Sequence, residues 1–331
     1  MQDAAEIGPR PGTTATNAPA RALAGRMAAA LVGHEALVER LLVALLTGGH
    51  LLIEGPPGLA KTRSVRCLAE GIEGRFARIQ CTPDLMPSDI TGTRVFRAES
   101  GDMGFLPGPV FHELVLVDEI NRAPPKVQSA LLEAMAEGQV TVGGETRALP
   151  DPFMVIATQN SLENEGTFPL PEAQLDRFLM HVILELPGEA EERAILDLVE
   201  GELTQAPPEA APPLDRETLA AMKRAVAGVH LSPALRHYIV ALVMATRRET
   251  EGLTVTGRIR HAVSPRGSLA LAACARARAF LHGRDHALPE DVAALAPDVL
   301  CHRLAPTWRA LAAGETARGL LDEILAAVRP L

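Results

Sequence analysis

Between Gly55 and Thr62 the chain reads Gly-Pro-Pro-Gly-Leu-Ala-Lys-Thr, directly after the apolar run Leu51-Leu52-Ile53-Glu54. A strand, a glycine-rich turn and the start of a helix, in that order, are what a phosphate-binding loop requires. The whole run of Gly55, Pro56, Pro57, Gly58, Leu59, Ala60, Lys61 and Thr62 reads as a nucleotide cradle. Backbone N–H groups and the helix N-terminus can surround phosphates, Lys61 can reach the β and γ oxygens, and Thr62 can offer its hydroxyl to magnesium. Lysine occurs only at positions 61, 126 and 223, against 29 arginines, and a compact ammonium suits a crowded phosphate. An ordinary Gly/Pro turn would use the same residue types. Ala60 also stands where the general pattern G-x-x-x-x-G-K-[ST] has its second glycine, and alanine disfavours positive φ.

A second constellation lies downstream, where Leu114-Val115-Leu116-Val117 ends in Asp118-Glu119. Four apolar residues make a buried strand that delivers two carboxylates to the sheet edge carrying the loop. Asp118 would hold magnesium, directly or through water, and Glu119 would polarise an attacking water. Alone, such a pair is a solvated loop; with the phosphate loop it forms half of a hydrolytic site. A further apolar run, Phe153 to Ala157, ends at Thr158-Gln159-Asn160. If this strand neighbours the previous one, Asn160 can orient the same water, whereas by itself it would be a turn residue.

The rest of the chain must position these groups. Its 331 residues suggest two domains, and 47% hydrophobic with 22% charged residues allows a substantial core. The longest apolar runs, Leu41 to Leu46 and Tyr238 to Ala245, fall short of the ~20 residues that span a bilayer, so no membrane insertion is expected. No basic segment leads into an apolar one at the N-terminus, and Cys67, Cys81, Cys274 and Cys301 have neither disulfide nor zinc spacing. The cytoplasm is the expected compartment. A net charge of -9 argues against general attraction to nucleic acid.

Residues 1–20 are rich in Pro, Thr and Ala and read as a disordered tail. Residues 21–187 alternate β-rich runs with helical patterns, the signature of an α/β core with a central parallel sheet and helices on both faces. The expected strands are Leu51 to Glu54, Phe76 to Gln80, Leu114 to Val117, Phe153 to Ala157 and His181 to Leu186. One helix is opened by Pro124-Pro125 and stopped by Gly138. Two hairpins are added: Gln139 to Leu149 around Gly143-Gly144, and a second between Thr93 and Leu106 with its turn at Glu99 to Asp102. After Pro187-Gly188, residues 188–331 read as an all-helical C-terminal domain, with a loop at Pro207 to Pro213.

Taken together these features resemble the AAA+ ATPases, and the finer text resembles the MoxR family. The resemblance rests on Gly108-Pro109-Val110-Phe111, Val117-Asp118-Glu119-Ile120-Asn121-Arg122-Ala123-Pro124, Ala130-Leu131-Leu132-Glu133-Ala134-Met135, Ala157-Thr158-Gln159-Asn160 and Leu170-Pro171-Glu172-Ala173-Gln174-Leu175-Asp176-Arg177-Phe178. It covers nearly the whole chain after the tail, and it makes the helical domain a lid. Alanine before the lysine is common in that family. The resemblance implies that Arg177 is an arginine finger reaching an adjacent subunit's ATP. It implies that Arg266, in Ser264-Pro265-Arg266, contacts the γ-phosphate of its own subunit, and that Val32-Gly33-His34 lines the adenine pocket. Ser161 departs from the family's usual proline after the sensor Asn.

The resemblance further implies a homo-oligomeric ring, a hexamer, using ATP and magnesium and acting as a chaperone-like remodelling or maturation factor for a protein client, with a von Willebrand A-type partner. Two other readings compete. A nucleic-acid-stimulated motor would use the basic stretch of Arg258, Arg260, His261, Arg276 and Arg278, and an ATP-gated scaffold would assemble with little turnover.

Overall fold

The computed structural model describes residues 13–97, 102–160, 166–204, 212–249 and 253–330. The chain divides into two compact units, one from Arg26 to Leu214 and one combining the chain up to Gly25 with Asp215–Leu331.

The first helix, α1 (Thr13–Ala30), contributes to both units. Asn17, Ala20, Leu23 and Met27 recur at helical spacing and are all buried, so one face of α1 is a packing face. Asn17 Nδ2 donates to the Phe280 carbonyl at 2.9 Å. The expected tail is therefore corrected from Thr13 on: α1 starts there and runs through Pro19, with Asn17 and Ala20 buried. Residues 1–12 lie outside the described residues.

The Arg26–Leu214 unit is built on five strands: β1 (Leu51–Glu54), β2 (Phe76–Gln80) and, further on, β5 (Leu114–Asp118), β8 (Met154–Gln159) and β9 (Met180–Ile183). Between β2 and β5 stands a hairpin of β3 (Gly92–Arg97) and β4 (Asp102–Pro107), and between β5 and β8 one of β6 (Gln139–Val142) and β7 (Glu145–Ala148). The five core strands pair in the order β2-β5-β8-β1-β9, every pair parallel. Parallel ladders need both faces covered. Accordingly Leu51, Leu52, Ile53, Val115, Leu116, Val155, Ile156 and Ala157 are fully buried, each large side chain contributing ~1.5–3 kcal/mol. The connecting helices are α2 (Glu35–Thr47), α3 (Lys61–Glu70), α4 (Pro87–Thr91), α5 (Pro125–Glu137), α6 (Glu172–Leu175) and α7 (Glu189–Thr204). Helix α5 starts after Pro124 and stops at Gly138, which takes φ 61.

The two hairpins touch each other. The Arg147 guanidinium lies 4.2 Å from the Phe105 ring centre, a cation–π contact, and Phe105 packs edge-on against Phe111. Arg94 lies against Gly143, where a methyl group would overlap its side chain. At the root of the first hairpin Gly92, at φ +88, and Gly108 bring two backbones so close that a Cβ on either would overlap main-chain atoms. Of the expected turn at Glu99 to Asp102, residues 99–101 lie outside the described residues and Asp102 opens β4.

The other unit contains α8 (Arg216–Gly228), α9 (Pro233–Ala245), α10 (Pro265–Leu281), α11 (Pro289–Leu300), α12 (Trp308–Ala312) and α13 (Ala317–Ala327). Among the described residues it is helical, as expected, with strand pairing confined to the short antiparallel pair β10 (Ile259–His261) with β11 (Ala305–Pro306) and a lone bridge between His230 and His286. Ser232 and Ser264 cap α9 and α10 ahead of prolines at the first helical position. The division after Leu214 also differs from the expected one at 187/188, because α7 and Leu214 are tied into the sheet unit. The Leu214 carbonyl accepts from Glu73 N at 2.7 Å, and Leu214 N donates to the Gly71 carbonyl at 2.9 Å. Most of the expected Pro207 to Pro213 loop falls on 205–211, outside the described residues.

Candidate phosphate site

The parallel order puts the C-terminal ends of β5, β8 and β1 side by side. Gln80 pairs with Asp118, Val117 with Ala157, and Ile53 with Thr158. Strand ends in such a sheet open onto a crevice. Here it is an open cavity of about 410 Å³ lined by Pro57 through Thr62, Asp118, Glu119 and Asn160. Gly55 lies at the loop's base, its N–H bonded to the Gln159 carbonyl at 3.2 Å; neither it nor Pro56 lines the cavity.

Ala60 adopts φ 49 and ψ 20 and so takes the left-handed conformation that glycine would have supplied. Glu119 does the same at φ 57 and ψ 51. These are the only two non-glycine residues with positive φ among the described residues. Each such residue costs about 1–2 kcal/mol, and both border the same cavity.

Lys61 Nζ donates to the Gly55 carbonyl at 2.6 Å and to the Gln159 carbonyl at 3.4 Å. Burial lowers its pKa, while Asp118, Glu119 and Glu54 pull the other way. Glu54 Oε2 lies 2.9 Å from His181 Nε2, and that contact, against the opposing effect of burial, holds the carboxyl below its ordinary value. The same negative field acts on Cys81, whose thiol is pushed up to about 12 by burial, with Asp118 and Glu119 adding to it.

Both site carboxylates are held by neighbours. Asp118 accepts from Arg78 Nε at 2.6 Å and from the Thr158 hydroxyl at 3.1 Å. Glu119 Oε2 accepts from Gln80 Nε2 at 3.1 Å and Arg122 Nη1 at 3.0 Å, and its backbone N–H reaches Thr158 Oγ1 at 3.0 Å. Asn160 is buried at the cavity wall. The donor set suits magnesium: Thr62 and Asp118 present hard oxygens to one cavity, and Asp118 already carries a cationic partner in Arg78.

Arg63, Arg78, Gln80 and Thr158 line the cavity as well, and sequence reasoning did not single them out. Arg78 and Gln80 flank buried Ile79 on edge strand β2. Two polar residues at i and i+2 ending a strand beside an Asp-Glu strand were the available signal. Arg63 binds the Ala30 carbonyl at 3.0 Å and forms a forked ion pair with Glu202, fastening α3 to α7.

The remaining expected residues lie elsewhere. Val32 and Gly33 form the α1–α2 turn, where Gly33 takes φ +79 and packs against Glu191 of α7. Arg177 is exposed and donates Nη1 to its own chain's Leu132 carbonyl at 2.6 Å. Arg266 is the second residue of α10, in the other compact unit, with its backbone N–H on Ser264 Oγ. Ser161 lies outside the described residues.

Comparison with known proteins places these features in a family. Residues 50–180 match the model of the ATPase family associated with various cellular activities (AAA), and residues 253–324 match the AAA lid domain. The chain is 45% identical over 300 residues to Chaperone MoxR1 of Mycobacterium tuberculosis, covering 90% of this chain and 78% of that one. It is 44% identical over 300 residues to YeaC, an uncharacterised protein of Bacillus subtilis, covering 90% and 91%. Protein MoxR of Methylorubrum extorquens is 34% identical over 297 residues, 84% of this chain and 85% of that one. A crystal structure of a candidate ATPase from Cytophaga hutchinsonii superposes with a TM-score of 0.86 at 37% identity, covering 96% and 97% of the two chains. The chain belongs to the MoxR family of AAA ATPases.

Proposed function

We propose that the protein is a magnesium-dependent ATPase, converting ATP and water to ADP and phosphate, that works as a homo-oligomeric ring to remodel or mature partner proteins. The observation that carries the reading is the gathering of Lys61, Thr62, Asp118, Glu119 and Asn160 around one cavity at the ends of adjacent strands. In this reading the backbone from Gly55 to Ala60 and the N-terminus of α3 cradle the phosphates. Lys61 exchanges its two carbonyl partners for β and γ oxygens. Thr62 Oγ1 and Asp118 would hold magnesium, which would supply positive charge beside the phosphates. Glu119 exchanges Gln80 and Arg122 for the attacking water, and Asn160 aligns that water.

Arg177 lies outside the cavity of its own chain and is exposed, which suits a finger presented to an adjacent subunit. A trans arginine contributes about 10³–10⁵ in rate, so hydrolysis depends on assembly; a hexamer is the state we infer from the family. Arg266 serves as the lid's contact to the γ-phosphate, and the Val32-Gly33 turn as part of the adenine pocket. The chaperone name of the M. tuberculosis relative supports a protein client, and a von Willebrand A-type protein is the partner we infer.

Glu119→Gln tests the core of this reading. The variant is expected to bind an ATP analogue as the parent does and to turn ATP over about 10²–10⁴ times more slowly, the range for losing a general base. An unchanged rate would overturn the assignment.

A further inference from the structure

The two oxygens of Asp118 are held in different ways. Oδ1 accepts from the Thr158 hydroxyl at 3.1 Å, and that hydroxyl in turn accepts from the Glu119 backbone N–H at 3.0 Å, so its partner is anchored to the fold. Oδ2 accepts from Arg78 Nε at 2.6 Å. Arg78 belongs to edge strand β2, and its side chain is 49% exposed against 9% for that of Asp118. One partner is therefore fixed and the other exchangeable.

A divalent cation at Asp118 would draw on the carboxylate whose Oδ2 Arg78 now holds. A buried carboxylate keeps its charge at low cost only with a cation or several hydrogen bonds beside it. A guanidinium and a metal ion are alternative ways of supplying that charge, and positive charges crowded at one carboxylate repel. We propose that Arg78 is a built-in competitor for the metal at Asp118, a positioning residue that swings off Oδ2 when a divalent cation binds and so sets how much magnesium the site needs. The inference rests on the reading of Asp118 as a magnesium ligand.

The experiment follows binding of a fluorescent ATP analogue to the full chain while magnesium is titrated, in the parent, Arg78→Gln and Arg78→Lys. The parent should show magnesium-dependent binding. Arg78→Gln should lower the magnesium concentration at half-saturation about three- to fivefold, the range set by a half-exposed ion pair, and should weaken binding in excess chelator. Arg78→Lys, which keeps the charge but loses the fork, should fall between the two; if Arg78→Gln does not fold, the lysine variant decides alone. A half-saturation point unchanged or raised in the folded variants overturns the competition. Binding by the parent that ignores magnesium overturns the metal assignment at Asp118, and the inference with it.

Discussion

Two buried aspartates, one in each compact unit, are held in opposite ways. Asp291, 0% exposed, accepts Arg278 Nη1 at 2.7 Å, Arg284 Nη1 at 2.6 Å, Arg284 Nη2 at 2.7 Å and the Leu288 N–H at 2.8 Å. Its carboxylate is saturated from within and caps the start of α11. Asp118, 6% exposed, faces a cavity and has one half-exposed arginine and one hydroxyl. Full internal satisfaction gives a structural carboxylate; an exchangeable partner gives one that can take a new ligand. Backbone strain divides the same way: both non-glycine residues with positive φ, Ala60 and Glu119, border the cavity of Asp118, and among the described residues none lies in the unit of Asp291.

The sharpest way to break this contrast is to remove each carboxylate in turn. Asp291→Ala leaves two guanidinium groups without their common partner and should cost about 3–5 kcal/mol of stability. Asp118→Ala, beside an arginine that can turn to water, should cost less than about 1 kcal/mol. Urea denaturation measures both, and equal losses would erase the distinction.

A smaller effect separates the units by pH. His50, in the sheet unit, accepts the Val155 N–H on Nδ1 at 3.0 Å, so its proton is on Nε2, 3.2 Å from the Met135 carbonyl. Burial, partly offset by that carbonyl, lowers its pKa from 6.5 to about 4. The unfolded chain takes up a proton at His50 below pH 6.5 and the folded chain does not until about 4. Stability therefore falls with pH across that window, by about 3 kcal/mol in all. For Asp291, burial alone would raise the carboxyl, but Arg284, the Leu288 N–H and Arg278 outweigh it and hold it low. Its contribution is present above the ordinary carboxylate pKa and is lost only as pH falls through the lower folded value. Denaturation across pH should show the sheet unit weakening first, and His50→Gln should flatten that fall.

The smallest effect concerns strain. Ala60→Gly relieves a left-handed alanine but loosens the unfolded chain. The net expectation is a gain of about 0.5–1 kcal/mol with analogue binding retained; a loss would mean that the site does not strain Ala60.

The strands at Leu51–Glu54 and Phe76–Gln80 were legible to the residue, because β-rich runs bounded by turn residues leave little freedom in where a parallel strand starts. The Gly143-Gly144 turn was equally legible, since both glycines take positive φ. Lys61, Asp118, Glu119 and Asn160 were legible as neighbours because the strand ends converge. Arg78 and Gln80 were not, since polar residues alternating with one apolar residue read as a solvent face until the sheet order puts β2 beside β5. The start of α1 was hidden by composition: Asn17 is polar and Ala20 small, yet they begin the buried stripe that continues at Leu23 and Met27. The unit boundary was misplaced because Pro187-Gly188 breaks local structure, whereas the ties that decide membership, Leu214 to Gly71 and Glu73, span long stretches of sequence.

The close approach of Gly92 and Gly108 at the root of the first hairpin has a mechanical consequence. Two main chains packed too closely to admit a methyl group leave no slack, so the root behaves as a rivet and not as a hinge. Through Arg147 on Phe105 and Arg94 on Gly143, the second hairpin is clamped to the same arm. Beyond Gly108 the short turn Pro109–Phe111 runs almost directly into β5. The close main-chain contact at this root therefore sits a few residues ahead of the strand that ends in Asp118, so a shift of the root is a shift at the start of that strand.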